Sequence, residues 1–541
     1  MQPVTKLILK NGRFLTSRGF HTADALLIDR GMIRGFGSAG DFRLSGGRQA
    51  RLIDLKGKVV LPGFTDAHAH LLTRGLLKQQ ADCGRAALCS LTDLIAFLRT
   101  HAAQNPRRQW LRAFGFNDAN LAGGSSPTCH DLDEAVPDRP LILTRVCTHI
   151  SILNSRAMQL LGLSRETADP PGGRFVRDAD GELTGRVEET AQDLVLKSIP
   201  GWSQQELVTA IENGQQGLFR RGICAIHDPG TDQVAPKAYL DAYLMAAAEG
   251  RLKVRTYLMA RPTEADKKDP DPWLKNLRIL KEQLSADGRL HLGAVKFFMD
   301  GSIGARTAML NKPYADPAGG CGPQLDTRGL GRMIAAVHRH GFQASIHAIG
   351  DRAVAAAIAL IEKAMERCPR PDPRHRIEHS ELCSAQDLTA MRRLGIVPVL
   401  QPVFLYLFGD HYRDALGDLR THGMKPHRQM LDNGLKVALG SDWPVAAPDV
   451  GLGLQTAVCR RTITDKPIGA DQAVTLTEAI QGYTGQAAHA AFMEQIAGSL
   501  TIGKFADMVV LEEDPYQVPA QRLAQVGIAM TIINGEVVYQ H

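Results

Sequence analysis

The chain lacks the features that mark several large classes of protein. Its nine cysteines are scattered along 541 residues, and no two of them form a C-x-x-C pair. A disulfide framework and a structural zinc knot are therefore not expected, and a reducing compartment fits better. No run of five Lys or Arg occurs, and the formal net charge is only +6. Nucleic acid is therefore not an expected partner.

Long hydrophobic runs are missing as well. No stretch approaches the ~18 continuous apolar residues of a membrane span. The apolar part of the N-terminal MQPVTKLILKNGRFLTSRGF is too short for a secretory signal, and it alternates like a strand. We therefore expect a cytoplasmic protein that acts on a small molecule and has no membrane partner. Assembly into a homo-oligomer is left open.

The two ends of the chain share the pattern of a small β-structure. Residues 5–60 alternate in short apolar runs broken by Asn-Gly, Arg-Gly and Lys-Gly, which is typical of hairpins. The segments FADMVVLEED and VGIAMTIINGEVVYQ near the C-terminus alternate in the same way. We predict one composite β-sandwich from residues 1–60 and 495–541, because two separate appendages would leave more strand edges unpaired.

The middle of the chain, residues 61–494, alternates strand-like and helix-like segments. Eight buried apolar runs are predicted strands, and amphipathic helical patterns lie between most of them. The strands are Val59–Asp66, Gly222–His227, Leu252–Met259, Leu292–Phe298, Gln343–His347, Arg374–His379, Ile396–Gln401 and Leu435–Ser441. This pattern predicts an α/β fold, a distorted (β/α)8 TIM barrel. The connection between the first two strands is too long for one helix, so an insertion is expected at about residues 80–200.

Side chains that can bind a metal lie at the C-terminal ends of five of these strands. The carboxyl ends of barrel strands converge on one face, so these side chains are expected to meet there. On a strand, two histidines two positions apart point to the same face and can grip one ion. The candidate ligands are His68, His70, Lys296, His347, His379 and Asp442.

The chemistry of these side chains predicts a site for one or two divalent ions. Neutral imidazole nitrogens suit Zn²⁺ and similar metals, so Zn²⁺ is the expected ion. Asp442 can bind metal and also take a proton from a metal-activated water, and a second ion would polarise the substrate carbonyl. Lys296 leaves two possibilities open: it reacts with CO₂ and bridges as a carbamate, or it stays a lysine that has lost its proton through burial.

Three further side chains are weaker candidates for substrate binding. His227 ends the second strand in CAIHDPG, where an ordinary turn is an equal interpretation. His149 lies in the polar stretch TRVCTHISILNS of the insertion. Arg306 lies in the glycine-containing loop DGSIGARTA after the fourth strand, and its alternative interpretation is an ordinary surface arginine.

These motifs resemble the amidohydrolase superfamily, and the resemblance spans essentially the whole chain. The motif GFTDAHAH (Gly63–His70), the later candidate ligands and the β-rich ends all fit it. Within the superfamily the chain is most similar to the YtcJ-like branch, which includes N-substituted formamide deformylases and proteins labelled AepA. The closer signals are VKFFMDGSIGARTA (Val295–Ala308), IHAIGDRA (Ile346–Ala353), HRIEH (His375–His379) and GSDWPV (Gly440–Val445).

The resemblance implies hydrolysis of a C–N bond in an amide-like or formamide-like substrate. One ion would lie between the His-x-His pair and Asp442, which would also move the water proton. The other ion would lie between His347 and His379, with carbamylated Lys296 as the bridge. A deaminase, a cyclic-amide hydrolase and a non-catalytic regulatory protein are the alternatives on the same scaffold. A substrate panel scored for formate, ammonia and ring opening separates the enzymes among them.

Overall fold

The computed structural model forms two compact units. Unit 1 comprises Met1–Leu71 and Gln215–His541, and unit 2 comprises Leu72–Gly214. No helix of the described residues is long and apolar enough to cross a bilayer. The described residues are 6–16, 18–46, 50–84, 88–118, 121, 126–145, 150–230, 235–284, 288–315, 320–322 and 327–541.

Strands and helices alternate along most of the chain. The strands are β1 (Lys6–Lys10), β2 (Arg13–Thr16), β3 (Gly19–Phe20), β4 (Ala25–Asp29), β5 (Met32–Gly37), β6 (Arg51–Asp54), β7 (Val59–Pro62), β8 (Phe64–Asp66), β9 (Ala81–Asp82), β10 (Leu111–Phe116), β11 (Leu141–Arg145), β12 (Ile150–Leu153), β13 (Gly173–Arg177), β14 (Leu183–Glu189), β15 (Ile223–Asp228), β16 (Arg255–Ala260), β17 (Leu290–Phe298), β18 (Gln343–Ala348), β19 (Arg376–His379), β20 (Val397–Leu400), β21 (Ala438–Leu439), β22 (Met508–Leu511), β23 (Ile528–Ile533) and β24 (Glu536–Gln540). The α-helices are α1 (Ala39–Gly46), α2 (Leu71–Lys78), α3 (Leu91–Gln104), α4 (Cys129–Ala135), α5 (Ser155–Leu160), α6 (Thr190–Ser198), α7 (Gln204–Phe219), α8 (Pro236–Ala248), α9 (Glu264–Lys268), α10 (Pro270–Leu284), α11 (Thr327–Arg339), α12 (Asp351–Arg367), α13 (Ala385–Leu394), α14 (Pro402–Leu416), α15 (Asp418–His422), α16 (His427–Asp432), α17 (Val450–Cys459), α18 (Leu476–Gly482) and α19 (Gly485–Ala490). Short 3₁₀ turns lie at Ala470–Gln472 and Ala520–Gln525.

Eight parallel strands of unit 1 form the barrel, in the order β21-β20-β19-β18-β17-β16-β15-β8. The two ends of this sheet approach each other where Ala67 N–H donates a hydrogen bond to Leu439 O at 2.9 Å. Strand β20 is buried at every residue, and its sequence VPVL is a continuous apolar run, as expected in a parallel sheet that is covered on both faces. The predicted α/β barrel is confirmed.

The first predicted strand, Val59–Asp66, is wrong as one element, because Gly63 divides it. Residues Val59–Pro62 form β7 and pair with β2 and β22, whereas Phe64–Asp66 form β8 of the barrel. Gly63 N–H donates to Asp507 O at 2.9 Å, and a Cβ at this position would lie 2.4 Å from Cys224 Sγ. Only glycine fits where the chain leaves one sheet for the other.

Strands from both chain ends build two further sheets of unit 1. One has the order β24-β23-β22-β7-β2-β3 and the other the order β5-β4-β1-β6. Side chains from both sheets, such as Leu9, Phe14, Met508 and Ile532, pack into one buried apolar cluster. This arrangement of two sheets around one core is that of a small β-sandwich.

Unit 2 is built on its own six-stranded sheet, with the order β13-β14-β12-β11-β10-β9. Two apolar clusters stabilise it, one around Leu98, Leu132 and Leu143, and one around Phe175 and Val195. Unit 2 spans more residues than the insertion expected at about residues 80–200.

Candidate metal centre

The loops after β8 and β21 bring three of the candidate ligands together: His68, His70 and Asp442. His68 Nε2 lies 3.5 Å and His70 Nε2 3.2 Å from Asp442 Oδ1. Asp66, the last residue of β8, connects the two loops: it accepts hydrogen bonds from the N–H groups of His68 (3.2 Å) and Ser441 (2.9 Å) and from the Ser441 hydroxyl (2.5 Å). The two histidines therefore meet one carboxylate, although both follow the strand rather than lie on it.

A backbone turn at the end of β19 brings His379 to the same place. Strict strand alternation would point His379 away from the interior face that Glu378 occupies. The φ of His379 is 74°, a left-handed value that reorients its side chain. One ligand atom each from His68, His379 and Asp442 then lies within 4.8 Å of the others. The His347 ring lies next to them, with its centroid 4.4 Å from that of His379.

Three of these imidazoles are held in place through one ring nitrogen. The pairs are His68 Nδ1 with Glu378 Oε2 at 2.7 Å, His379 Nδ1 with Gln401 Oε1 at 2.9 Å, and His347 Nε2 with Gly301 O at 2.9 Å. Because each partner is an acceptor, the held nitrogen bears the proton and the opposite nitrogen keeps its lone pair. Burial lowers the pKa of His68 to about 4 and that of His347 to about 3, so both rings are neutral at pH 7.

Glu378 is a supporting residue that the sequence analysis missed. Its carboxylate accepts hydrogen bonds from Ser345 Oγ (2.7 Å), from Arg376 Nε (2.8 Å) and Nη2 (3.2 Å), and from His68 Nδ1. Burial acts to raise its pKa, but the charge of Arg376 and the hydrogen bond from His68 hold it well below the ordinary value. The available signal was the alternation of Arg376 and Glu378 in HRIEH, which places two charged side chains on one face of a buried strand.

Lys296 is buried beside these groups, with only 2 % of its surface exposed. Its Nζ lies 5.0 Å from the ring centroid of Phe298. Among the described residues, none accepts a hydrogen bond from this nitrogen or forms an ion pair with it. Burial lowers the pKa of Lys296 to about 8, although Glu378 and Asp442 act in the opposite direction. A substantial fraction of this lysine is therefore neutral near pH 8.

The three weaker candidates have different surroundings. His227 is buried in the barrel, where its Nδ1 lies 2.9 Å from Arg376 Nη1 and its ring packs against Tyr257. The guanidinium of Arg306 donates to carbonyls of its own loop, Ile303 O at 2.9 Å and Gly304 O at 3.3 Å. His149 lies outside the described residues. A substrate-binding role stays a prediction for all three.

The donor set fits a divalent metal ion. Neutral imidazole nitrogens and a carboxylate oxygen are the ligands that Zn²⁺ and similar ions prefer. The side chains of His70 and Asp442 keep 20 % and 12 % of their surface exposed, so the centre is open on this side. A catalytic metal needs such an opening for water and substrate.

Comparisons with known proteins agree with this geometry. A model described as "Amidohydrolase family" matches residues 51–539. The YtcJ protein of Bacillus subtilis (strain 168) is 32% identical over 523 residues, which cover 96% of each chain. The N-substituted formamide deformylase of Arthrobacter pascens is 27% identical, covering 96% of this chain and 95% of its own. The crystal structure of an uncharacterized metal-dependent hydrolase from Pyrococcus furiosus has a TM-score of 0.77 at 27% identity, covering 95% of this chain and 100% of that one. The donor set and these relatives indicate a divalent metal ion.

Proposed function

Since the chain belongs to the amidohydrolase family and is a metal-dependent hydrolase of carbon–nitrogen bonds, we propose that it cleaves N-substituted formamides or similar non-peptide amides. The deformylase from Arthrobacter pascens supports the formamide class. The observation that supports the reaction most directly is the approach of His68 Nε2 and His70 Nε2 to one oxygen of Asp442, at 3.5 Å and 3.2 Å.

The reaction joins a water oxygen to the formyl carbon and breaks the bond from that carbon to nitrogen, giving formate and an amine. A divalent ion, which we propose is Zn²⁺, would be held by the histidines and Asp442, and it would supply Lewis acidity to polarise the carbonyl and acidify water. Asp442 takes the proton of the attacking water and returns it to the leaving nitrogen. Burial acts to raise the pKa of Asp442, but the hydrogen bond from His70 and the charge of Lys296 lower it, so the carboxylate is ionised before the reaction.

We propose that Lys296 is carbamylated and that it completes a second ion site with His347 and His379. The neutral amine adds to CO₂, which forms one N–C bond and releases one proton. The lowered pKa of about 8 and the lack of an acceptor among the described residues support this modification. Metal analysis tests it: two ions per wild-type chain and one per K296M chain are expected. One ion per chain in both proteins would contradict the proposed carbamylation of Lys296.

Removal of the metal and substitution of Asp442 test the hydrolytic function together. The metal-loaded protein is assayed on a panel of N-substituted formamides, acetamides and cyclic amides, scored for formate, amine and ring opening. Chelation should abolish turnover, and added Zn²⁺ should restore it. D442N should lose activity, whereas D465N, a change of the same kind at a side chain that is 82% exposed, should keep it. A metal-free protein with unchanged turnover would exclude the proposal.

The compartment is a proposal as well. The cysteines of the described residues are free thiols, which supports a reducing location such as the cytoplasm.

A further inference from the structure

Unit 2 contains a cleft of about 550 Å³ that none of the candidate metal ligands lines. Its walls come from the end of α2, the turn between α3 and β10, and the segment that leads into α7. Two of the four tryptophans of the chain line it, together with three arginines. We call it the arginine–tryptophan cleft, defined by Arg107, Arg108, Trp110, Arg112 and Trp202. Its volume lies in the range of small-molecule sites.

Neutral groups hold two of the arginines in the cleft. Arg112 Cζ lies 4.3 Å and Arg108 Cζ 5.8 Å from the ring centroid of Trp202. Arg112 Nη2 donates to Pro200 O at 2.5 Å, and Arg108 Nη2 donates to Gln79 Oε1 at 3.1 Å. These contacts orient the two guanidinium groups, so binding an anion requires little reordering.

The lining has an excess of positive charge. Glu206 is the one carboxylate among the lining residues, against three guanidinium groups. Its Oε2 accepts hydrogen bonds from the N–H of Ser203 (2.9 Å) and from the Ser203 hydroxyl (2.8 Å). In the part of unit 2 that the structure describes, no carboxylate lies within ion-pair distance of Arg107 or Arg108. The cleft is therefore a concave site with a local excess of positive charge.

We propose that the arginine–tryptophan cleft binds a small aromatic anion. The phosphate or carboxylate group of the ligand pairs with Arg107 and Arg108, because guanidinium forks match the geometry of both anions. The aromatic ring of the ligand lies against Trp110 or against the guanidinium plane of Arg112, which Trp202 supports from below. The site is independent of the proposed hydrolysis, and it gives unit 2 a binding role of its own.

Titration calorimetry on the full-length, metal-loaded protein tests the proposal with four probes. AMP and benzoate each combine a ring with an anionic group, adenosine has the ring alone, and inorganic phosphate has the anion alone. AMP or benzoate should bind at least about tenfold more tightly than adenosine, and the affinity should fall when salt is raised from about 50 mM to about 200 mM. The double variant R107Q/R108Q should bind the preferred probe at least about tenfold more weakly.

A matched control locates the effect. R165Q removes a single positive charge from unit 2 outside the cleft, at a side chain that is 57% exposed and paired with Glu182, and it should change the affinity less than about twofold. R107E alone repeats the test at an exposed side chain if the double variant does not fold. Three results would each overturn the proposal. No probe has a Kd below about 10 mM, adenosine binds as tightly as AMP and benzoate, or the arginine variants bind the preferred probe as tightly as the wild type does.

Discussion

Replacing Glu378 by glutamine tests whether the metal centre depends on the carboxylate behind His68. Every partner of this carboxylate is a donor: Arg376 with two N–H groups, the Ser345 hydroxyl, and His68 Nδ1. A glutamine has one acceptor oxygen, so its NH₂ group must face a donor. If the NH₂ group faces His68, the ring has to move its proton to Nε2, the nitrogen that lies towards Asp442.

The structure sets the size of the expected effect. Losing a hydrogen bond to a charged group costs about 1.5–3 kcal/mol, and leaving the buried Arg376 without its counter-charge costs about 3–5 kcal/mol of folding free energy. Loss of a carboxylate that orients a metal-binding histidine lowers metal affinity by about 10–100-fold. We therefore expect E378Q to bind Zn²⁺ about 10–100-fold more weakly and to have a lower unfolding temperature.

The assay is competition for Zn²⁺ between the protein and a chromophoric chelator, after circular dichroism has shown that the variant is folded. S345A is the matched control, because it removes one neutral donor and leaves the contacts of Glu378 with Arg376 and His68 in place. It should change the affinity by less than about threefold. E378D, which keeps the charge, should recover part of the loss. A folded E378Q that binds Zn²⁺ as tightly as the wild type would refute the reasoning.

Three further predictions concern the reaction and the fold. D442N, compared with the wild type at equal metal content, should lower kcat by about 10³-fold, because the group that moves the proton is lost; an unchanged kcat would contradict this role. D507N should destabilise unit 1 by about 3–5 kcal/mol, measured by urea unfolding, because Asp507 pairs with the buried Arg255 through contacts of 2.8 Å and 3.2 Å. His375 accepts a hydrogen bond from Ala344 N–H at 2.8 Å, and burial lowers its pKa from 6.5 to about 3. As the pH falls below 6.5, His375 is therefore protonated in the unfolded chain before it is protonated in the folded chain, which lowers the free energy of unfolding. Between pH 7.5 and pH 5, the wild type should lose about 2 kcal/mol more unfolding free energy than H375N. Equal losses would refute this.

Much of the fold follows from local pattern. Continuous apolar runs between amphipathic helical patterns predict a parallel barrel, and α13 shows the local signals of such a helix. There the Ser384 side chain caps the first turn, and Gly395 ends the helix with a φ of 63°. The family inferred from the motifs is confirmed as well. The same patterns cannot show where a run changes sheets, because Val59–Asp66 is apolar on both sides of Gly63.

The support of the metal centre could not be predicted from spacing. Glu378 reaches His68 across 310 positions of the chain, and Asp66 reaches Ser441 across 375. The last strand, Ala438–Leu439, is shorter than the predicted Leu435–Ser441. At its C-terminal end, the Ser441 N–H donates to the carboxylate of Asp66 rather than to a neighbouring strand. Such pairings depend on the closed barrel, and a single sequence contains no local signal for them.

The backbone around the centre indicates that the barrel, rather than an ion, fixes the ligand geometry. His379, Ser380 and Asp442 have φ values of 74°, 42° and 60°, and such conformations cost about 1–3 kcal/mol each outside glycine. Backbone hydrogen bonds to neighbouring segments offset this cost: Ser380 N–H donates to Ala348 O at 3.1 Å, and Asp442 N–H donates to His68 O at 2.7 Å. An ion therefore meets ligands that already face one another, and little of its binding energy is spent on rearrangement. It follows that the residues behind the ligands, and not the ligands alone, determine how tightly the metal is held.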